Sequence, residues 1–178
     1  MRGPTGRFFR LLSRFAILPF WNTLVILVAV SLWRTGEKKR AILLAASPTV
    51  EIPTAIVKAL IRRPRPANDA VARWVSTASF PSGHVVRTLV TLTLWIGPMS
   101  HLSAGQRVAS ILGGLAFLFL MSLARVASGE HWPSDVMGSY LLGGIWLNVL
   151  WLVWTWRGRN GLQWAWQRAI QRYLAEEK

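Results

Sequence analysis

The chain has 178 residues, of which 52% are hydrophobic and only 16% charged, and its mean hydropathy is +0.34. These values exclude a disordered polyelectrolyte and suit an ordinary soluble domain poorly. The net charge of +14 is not the even basic coat of a nucleic-acid binder: the basic residues sit in short clusters between long apolar runs, pointing instead to lipid headgroups and anionic lipids.

Residues 15–33 are almost uncharged and, at about 1.5 Å per residue, span roughly 28 Å, close to a bilayer's hydrocarbon thickness. They form the clearest transmembrane helix. Basic residues precede this run at Arg2, Arg7, Arg10 and Arg14, but no small-residue cleavage site follows it, so the first span is expected to be retained. Residues 41–61 form a second apolar stretch carrying Pro48, Glu51, Pro53 and Lys58, whose polar side must face other helices rather than lipid. Residues 85–102, 108–123 and 136–156 complete five expected spans, the third and fourth of them short, or six if the N-terminal segment breaks around Pro19. In residues 162–174 apolar positions recur at helical spacing opposite Gln163, Gln167, Arg168, Gln171 and Arg172, the pattern of an amphipathic helix on the membrane surface. The expected fold is therefore an all-α polytopic membrane bundle forming one domain over residues 1–178. Eleven tryptophans, mostly near the ends of apolar runs, fit interfacial belts, and the absence of cysteine excludes disulfides and thiolate metal sites.

Three short blocks hold nearly all the chemically versatile side chains: residues 58–66, 81–84 and 125–135. The order of the spans places all three on one side of the membrane. Lys58, Arg65 and Arg125 supply fixed positive charge, His84 and His131 supply proton chemistry, and Asp135 follows His131 by four residues. Guanidinium groups match phosphate oxygens bidentately and lysine adds a point charge, so the natural ligand is a phosphoryl group. A cluster dominated by cations repels metal ions, and neither a metal nor another cofactor is expected. Ser82 and Gly83, at the start of a helix, add a hydroxyl and an approachable backbone N–H.

Lys58 with Arg65-Pro66, Pro81-Ser82-Gly83-His84, and Arg125 with His131 and Asp135 together resemble the three-part signature of the type 2 phosphatidic acid phosphatase superfamily. With its flanking helices the match covers most of the chain. It departs from the pattern at Ala124, where the family usually has serine; Ser122 is two residues out of register. The resemblance implies that His131 attacks phosphorus to give a phosphohistidine, that Asp135 fixes its tautomer, and that His84 is general acid and then base. It further implies that Lys58, Arg65, Arg125, Ser82 and the Gly83 amide hold the phosphoryl oxygens without a metal.

Structural alternatives stand beside these roles. Lys58 and Arg65 can snorkel from a helix end, either histidine can be an interfacial polar residue, and Asp135 can cap the fifth helix as well as serve the site. Arg63-Pro64 is a decoy for the first block, although Arg62 and Arg63 can attract an anionic headgroup. Glu51 serves either function or pairing with a polar helix face; His101 reads as a loop residue, and Glu130 carries no assigned role. Basic residues on the opposite side, among them Arg34, Lys38, Lys39, Arg40 and Arg107, make that side cytoplasmic and the site extracytoplasmic. The four N-terminal arginines then lie on the wrong side for five spans.

The expected activity is a metal-independent phosphatase acting on a lipid mono- or diphosphate of the undecaprenyl diphosphate, phosphatidylglycerophosphate or phosphatidate type. Lipid A phosphates and polyprenyl phosphosugars are further options, and a bacterial envelope lipid comes first. A lipid phosphotransferase using the same phosphohistidine and an inactive lipid-phosphate binder are the alternatives. Membrane lipids are expected partners; no nucleic acid or obligate protein partner is inferred.

Overall fold

The computed structural model describes residues 18–66, 78–97 and 102–176. The N-terminal basic run and His101 lie outside the described residues. Every regular element described is helical: α1 (Leu18–Arg34), α2 (Lys38–Ala45), a 3-10 turn (Ser47–Val50), α3 (Glu51–Ile61), α4 (Gly83–Ile96), α5 (Ala104–Ala127) and α6 (Pro133–Glu176). The chain divides into two compact units, Met1–Gly144 and Ile145–Lys178. All three chemical blocks belong to the first.

Three segments are long and apolar enough to cross a membrane: Lys38–Ile61, Ala104–Ala127 and Pro133–Trp156. Helices Phe20–Arg34 and Gly83–Ile96 are apolar but shorter. Large apolar side chains such as Leu27, Leu60, Leu115 and Leu141 are exposed on these helices, which water would penalise and lipid tails accept. The second span is not one helix. Pro48 lacks the N–H that would continue α2 and sits in the 3-10 turn, whereas Pro53 falls in the first turn of α3, where no intrahelical donor is needed. Glu51 in that same first turn faces the positive end of the α3 dipole.

Helix Gly83–Ile96 is shorter than the expected span 85–102, and two further boundaries differ for local reasons. Helix α5 begins at Ala104 rather than Val108 because Ser103 and Gln106 form a capping box, each side chain accepting the other's backbone N–H at 3.3 and 3.0 Å; the fourth span thereby reaches full length. At the C-terminus, residues 162–174 are not a separate helix but continue α6 to Glu176. No proline interrupts residues 157–161, and their glycines weaken a helix without stopping it.

Apolar contacts fix the block-bearing helices. Val25, Ala29 and Leu44 form one buried cluster against Trp21, Val28, Leu32 and Trp95, joining α1, α2 and α4. Val85, Leu118 and Val136 form another, joining α4, α5 and the start of α6. Trp21 Nε1 donates to Thr91 Oγ1 at 3.2 Å, tying α1 to α4.

Candidate active site

Each block reaches the site through a local backbone event. Helix α3 ends at Ile61, and Arg62 takes a left-handed conformation (φ 48°) as its cap. Pro64 then disfavours helix at Arg63, so the chain runs extended past Arg65. That strand of backbone is stitched down: Ser79 N–H donates to the Arg63 carbonyl at 2.7 Å, while Ser79 Oγ and Trp132 Nε1 each donate to the Pro64 carbonyl at 3.0 Å.

The second block follows a cis Phe80–Pro81 bond and opens α4. Helix α6 clamps it. A Cβ placed on Gly138 would lie 2.2 Å from Phe80 Cε2, so only glycine permits this approach. One turn on, Ser139 Oγ accepts the Ser82 N–H at 2.8 Å and contacts the Asp135 carbonyl at 2.6 Å. In the third block Gly129 (φ 71°) supplies the left-handed residue that turns the chain after α5. His131 N–H then donates to the Arg125 carbonyl at 3.2 Å.

These events place Lys58, Arg65, Gly83, His84, Arg125 and His131 around one cavity of about 360 Å³. Six of the eight residues expected at the site thus line it. Asp135 stands behind His131, fully buried. Ser82 is also fully buried and is not part of the lining; its backbone N–H is taken by Ser139. The buried Arg65 Nε, Arg125 Nε, His131 Nδ1 and Ser82 Oγ have no hydrogen-bond partner among the described residues. Buried polar groups without partners are costly. The two guanidinium groups on the cavity wall suit an anion with several oxygens.

Asp135 is held by groups other than His131. Arg63 Nη1 donates to Oδ1 at 2.8 Å and to Ser134 Oγ at 2.7 Å, and its guanidinium lies 5.4 Å from the Trp132 ring centroid. Oδ2 accepts the Trp132 N–H at 2.9 Å, the reach-back contact of a helix N-terminus, so Asp135 caps α6. His131 Nδ1 stands 3.6 Å from Oδ2, longer than a hydrogen bond. The Arg63 contact is what the sequence reading missed: Arg63 holds Asp135 directly.

The charges form a second pattern. Lys58 Nζ donates to the Ala78 carbonyl at 3.0 Å. Glu130 bridges the two arginines of the site, pairing with Arg125 Nη2 and lying 3.6 Å from Arg65 Nη1. Burial lowers the Arg65 pKa below its ordinary value, with Asp135 opposing. Burial, reinforced by Arg125, Arg65 and Lys58, brings the His131 pKa down from 6.5 to about 3, so its imidazole is neutral at physiological pH. A neutral imidazole among cations can attack an electron-poor centre, and the cations can stabilise the anion that develops there. Glu51 and Arg87, also on the cavity wall, pair at 2.5 Å. Arg87 was not singled out in the sequence, although a carboxylate within a span signals a basic partner at matching depth.

At the departure site, Ala124 is buried, and Ser122 does not replace the expected serine. Its hydroxyl bonds the Leu118 carbonyl at 2.8 Å and Tyr140 OH at 2.7 Å.

Comparison with known proteins agrees with this architecture. Residues 40–159 match the family model of the PAP2 superfamily. The chain is 30% identical over 127 residues to decaprenylphosphoryl-5-phosphoribose phosphatase of two Mycobacterium tuberculosis strains, CDC 1551 / Oshkosh and H37Rv; the match covers 69% of this chain and 65% of each relative. The chain therefore spans slightly under two thirds of those relatives' length. The fold is similar to the crystal structure of a transmembrane PAP2 type phosphatidylglycerolphosphate phosphatase from Bacillus subtilis, with a TM-score of 0.68 and 20% identity over 80% of this chain and 73% of that one. With three helical segments of spanning length and the three signature blocks brought to one cavity, this integral membrane protein belongs to the PAP2 superfamily.

Proposed function

We propose that the protein is a metal-independent lipid phosphatase that works through a phosphohistidine on His131. The observation that carries this reading is the convergence of Lys58, Arg65, Arg125, His84 and His131 on one small cavity. Arg65, Arg125 and Lys58 take the phosphoryl oxygens with the Gly83 amide; Ser82, buried just behind Gly83, completes the helix start. The His131 imidazole attacks phosphorus as the bond to the leaving oxygen breaks, and His84 gives that oxygen its proton. Asp135 then stabilises the imidazolium, closing its 3.6 Å separation from Nδ1 by about half an ångström to hydrogen-bond length. In the second half His84 takes a proton from water, water attacks the phosphohistidine, and phosphate leaves. One lipid phosphate and one water give one lipid alcohol, or lipid monophosphate, and one inorganic phosphate.

The whole chain acts as one functional domain in a bacterial envelope membrane, with the site on the extracytoplasmic face. The names of its relatives favour a phosphate carried at the end of a headgroup, as in a polyprenyl phosphosugar or phosphatidylglycerophosphate. The test is phosphate release from a panel of lipid phosphates by purified protein in detergent with excess EDTA. Release that survives EDTA and disappears in His131→Ala is expected; the absence of release from every lipid by folded protein overturns the proposal.

A further inference from the structure

Half of the cavity wall is not used by the phosphoryl chemistry. On α3 the lining residues Glu51, Thr54 and Lys58 share one face, with Glu51 about 10 Å along the helix from Lys58 at 1.5 Å per residue. On α4, Arg87 lies one turn beyond Gly83 and His84, and it pairs with Glu51 at 2.5 Å across the two helices. The Arg87 guanidinium turns back toward the second block: a Cβ placed on Gly83 would sit 3.9 Å from Arg87 Nη2 and 3.8 Å from Thr54 Cγ2. The pair thus adjoins the phosphoryl end of the same cavity. It is not sealed into the helix packing, since 28% of the Glu51 side chain is exposed.

A charge pair within a membrane segment is expensive to desolvate, and apolar residues would join α3 to α4 at less cost. Its placement on a cavity wall gives it a ligand-facing use. A second phosphate group arriving there meets the Glu51 carboxylate, which already neutralises the Arg87 charge. Hydroxyl groups meet complementary chemistry, because a carboxylate accepts from them and a guanidinium donates to them.

Resting on the phosphatase reading, we propose that Glu51 and Arg87 form a headgroup subsite that reads hydroxyls on the carrier of the scissile phosphate. The substrate is then a phosphomonoester on a sugar or polyol headgroup of a lipid, and a lipid diphosphate is disfavoured by Glu51. The subsite sets specificity, whereas the three cations and two histidines set reactivity.

The experiment compares kcat/KM of the full chain in one detergent for three probes: a lipid carrying a terminal phosphopentose or phosphoglycerol, a phosphomonoester directly on a lipid alcohol, and a lipid diphosphate. Wild type is expected to favour the first by about tenfold or more. Glu51→Gln is expected to remove that preference, chiefly through the first probe, and to raise turnover of the diphosphate. The double variant Glu51→Gln with Arg87→Gln leaves no lone buried charge, controls for folding, and is expected to lose the preference while retaining turnover of the bare monoester. Equal losses on all three probes, or a wild-type preference for the diphosphate, overturn the subsite alone. Failure of wild type to hydrolyse any probe overturns the phosphatase reading and the subsite with it.

Discussion

Replacing Arg63 with alanine removes one of the contacts that hold the Asp135 carboxylate. That carboxylate is fully buried; Oδ1 takes Arg63 at 2.8 Å and Oδ2 takes the Trp132 N–H at 2.9 Å. A hydrogen bond to a charged group contributes about 1.5–3 kcal/mol. The Arg63 side chain is 35% exposed, so water takes over part of its role, leaving about 1–2 kcal/mol. If Asp135 stabilises the imidazolium formed in the first chemical step, this loss appears in kcat as roughly a 5- to 30-fold decrease. KM should hardly move, because Arg63 does not line the cavity. Arg63→Lys should recover part of the rate, since one ammonium can reach Oδ1 but cannot also reproduce the planar contacts with Ser134 and Trp132. Steady-state kinetics of the three proteins on one lipid phosphate decide the matter. A rise in KM at constant kcat would refute the reasoning and make Arg63 a headgroup contact, the role open to it in the sequence.

Glu130 lies between Arg65 and Arg125, where the proposed mechanism seats the phosphoryl group. Glu130→Gln should therefore tighten inhibition by inorganic phosphate or vanadate by about tenfold, equivalent to about 1.4 kcal/mol of removed competition; weaker inhibition would mean that Glu130 instead holds the arginines in place. For His131, the folded pKa of about 3 against 6.5 means that the unfolded chain binds a proton that the folded chain refuses within this window. Stability should thus fall as pH drops from about 6.5 toward 3, by an order of a few kcal/mol. Thermal melts across that range should show a shallower acid loss in His131→Gln, and identical pH slopes would contradict the assignment. Gly138→Val forces Phe80 out of its 2.2 Å approach, so the variant should lower the melting temperature by several degrees and abolish turnover; unchanged melting and turnover would show that α6 does not clamp the second block.

The cluster was legible because its chemistry is carried by residue types at fixed separations. Lys58, Arg65, His84, Arg125 and His131 needed only spans of the right order to meet, and they meet on one cavity. Arg63 was not legible, since its direction depends on the left-handed Arg62 that precedes it, and no spacing rule announces a positive φ at arginine. Arg87 hid within an apolar helix, although Glu51 at a similar depth demanded a partner. The start of α5 was written in Ser103 and Gln106, a capping signature easily passed over beside a strong apolar run. For the C-terminal segment the periodicity was right about helix, yet amphipathic pattern alone does not say whether a helix is new or continues the previous one.

In the proposed mechanism phosphate passes through His131. Rapid-quench labelling with a lipid substrate carrying radioactive phosphate, followed by peptide mapping, tests it most directly. An acid-labile, base-stable phosphoryl group is expected on His131, forming and decaying within the turnover time and absent from His131→Ala. Normal turnover with no labelled protein, or label on another residue, would contradict it.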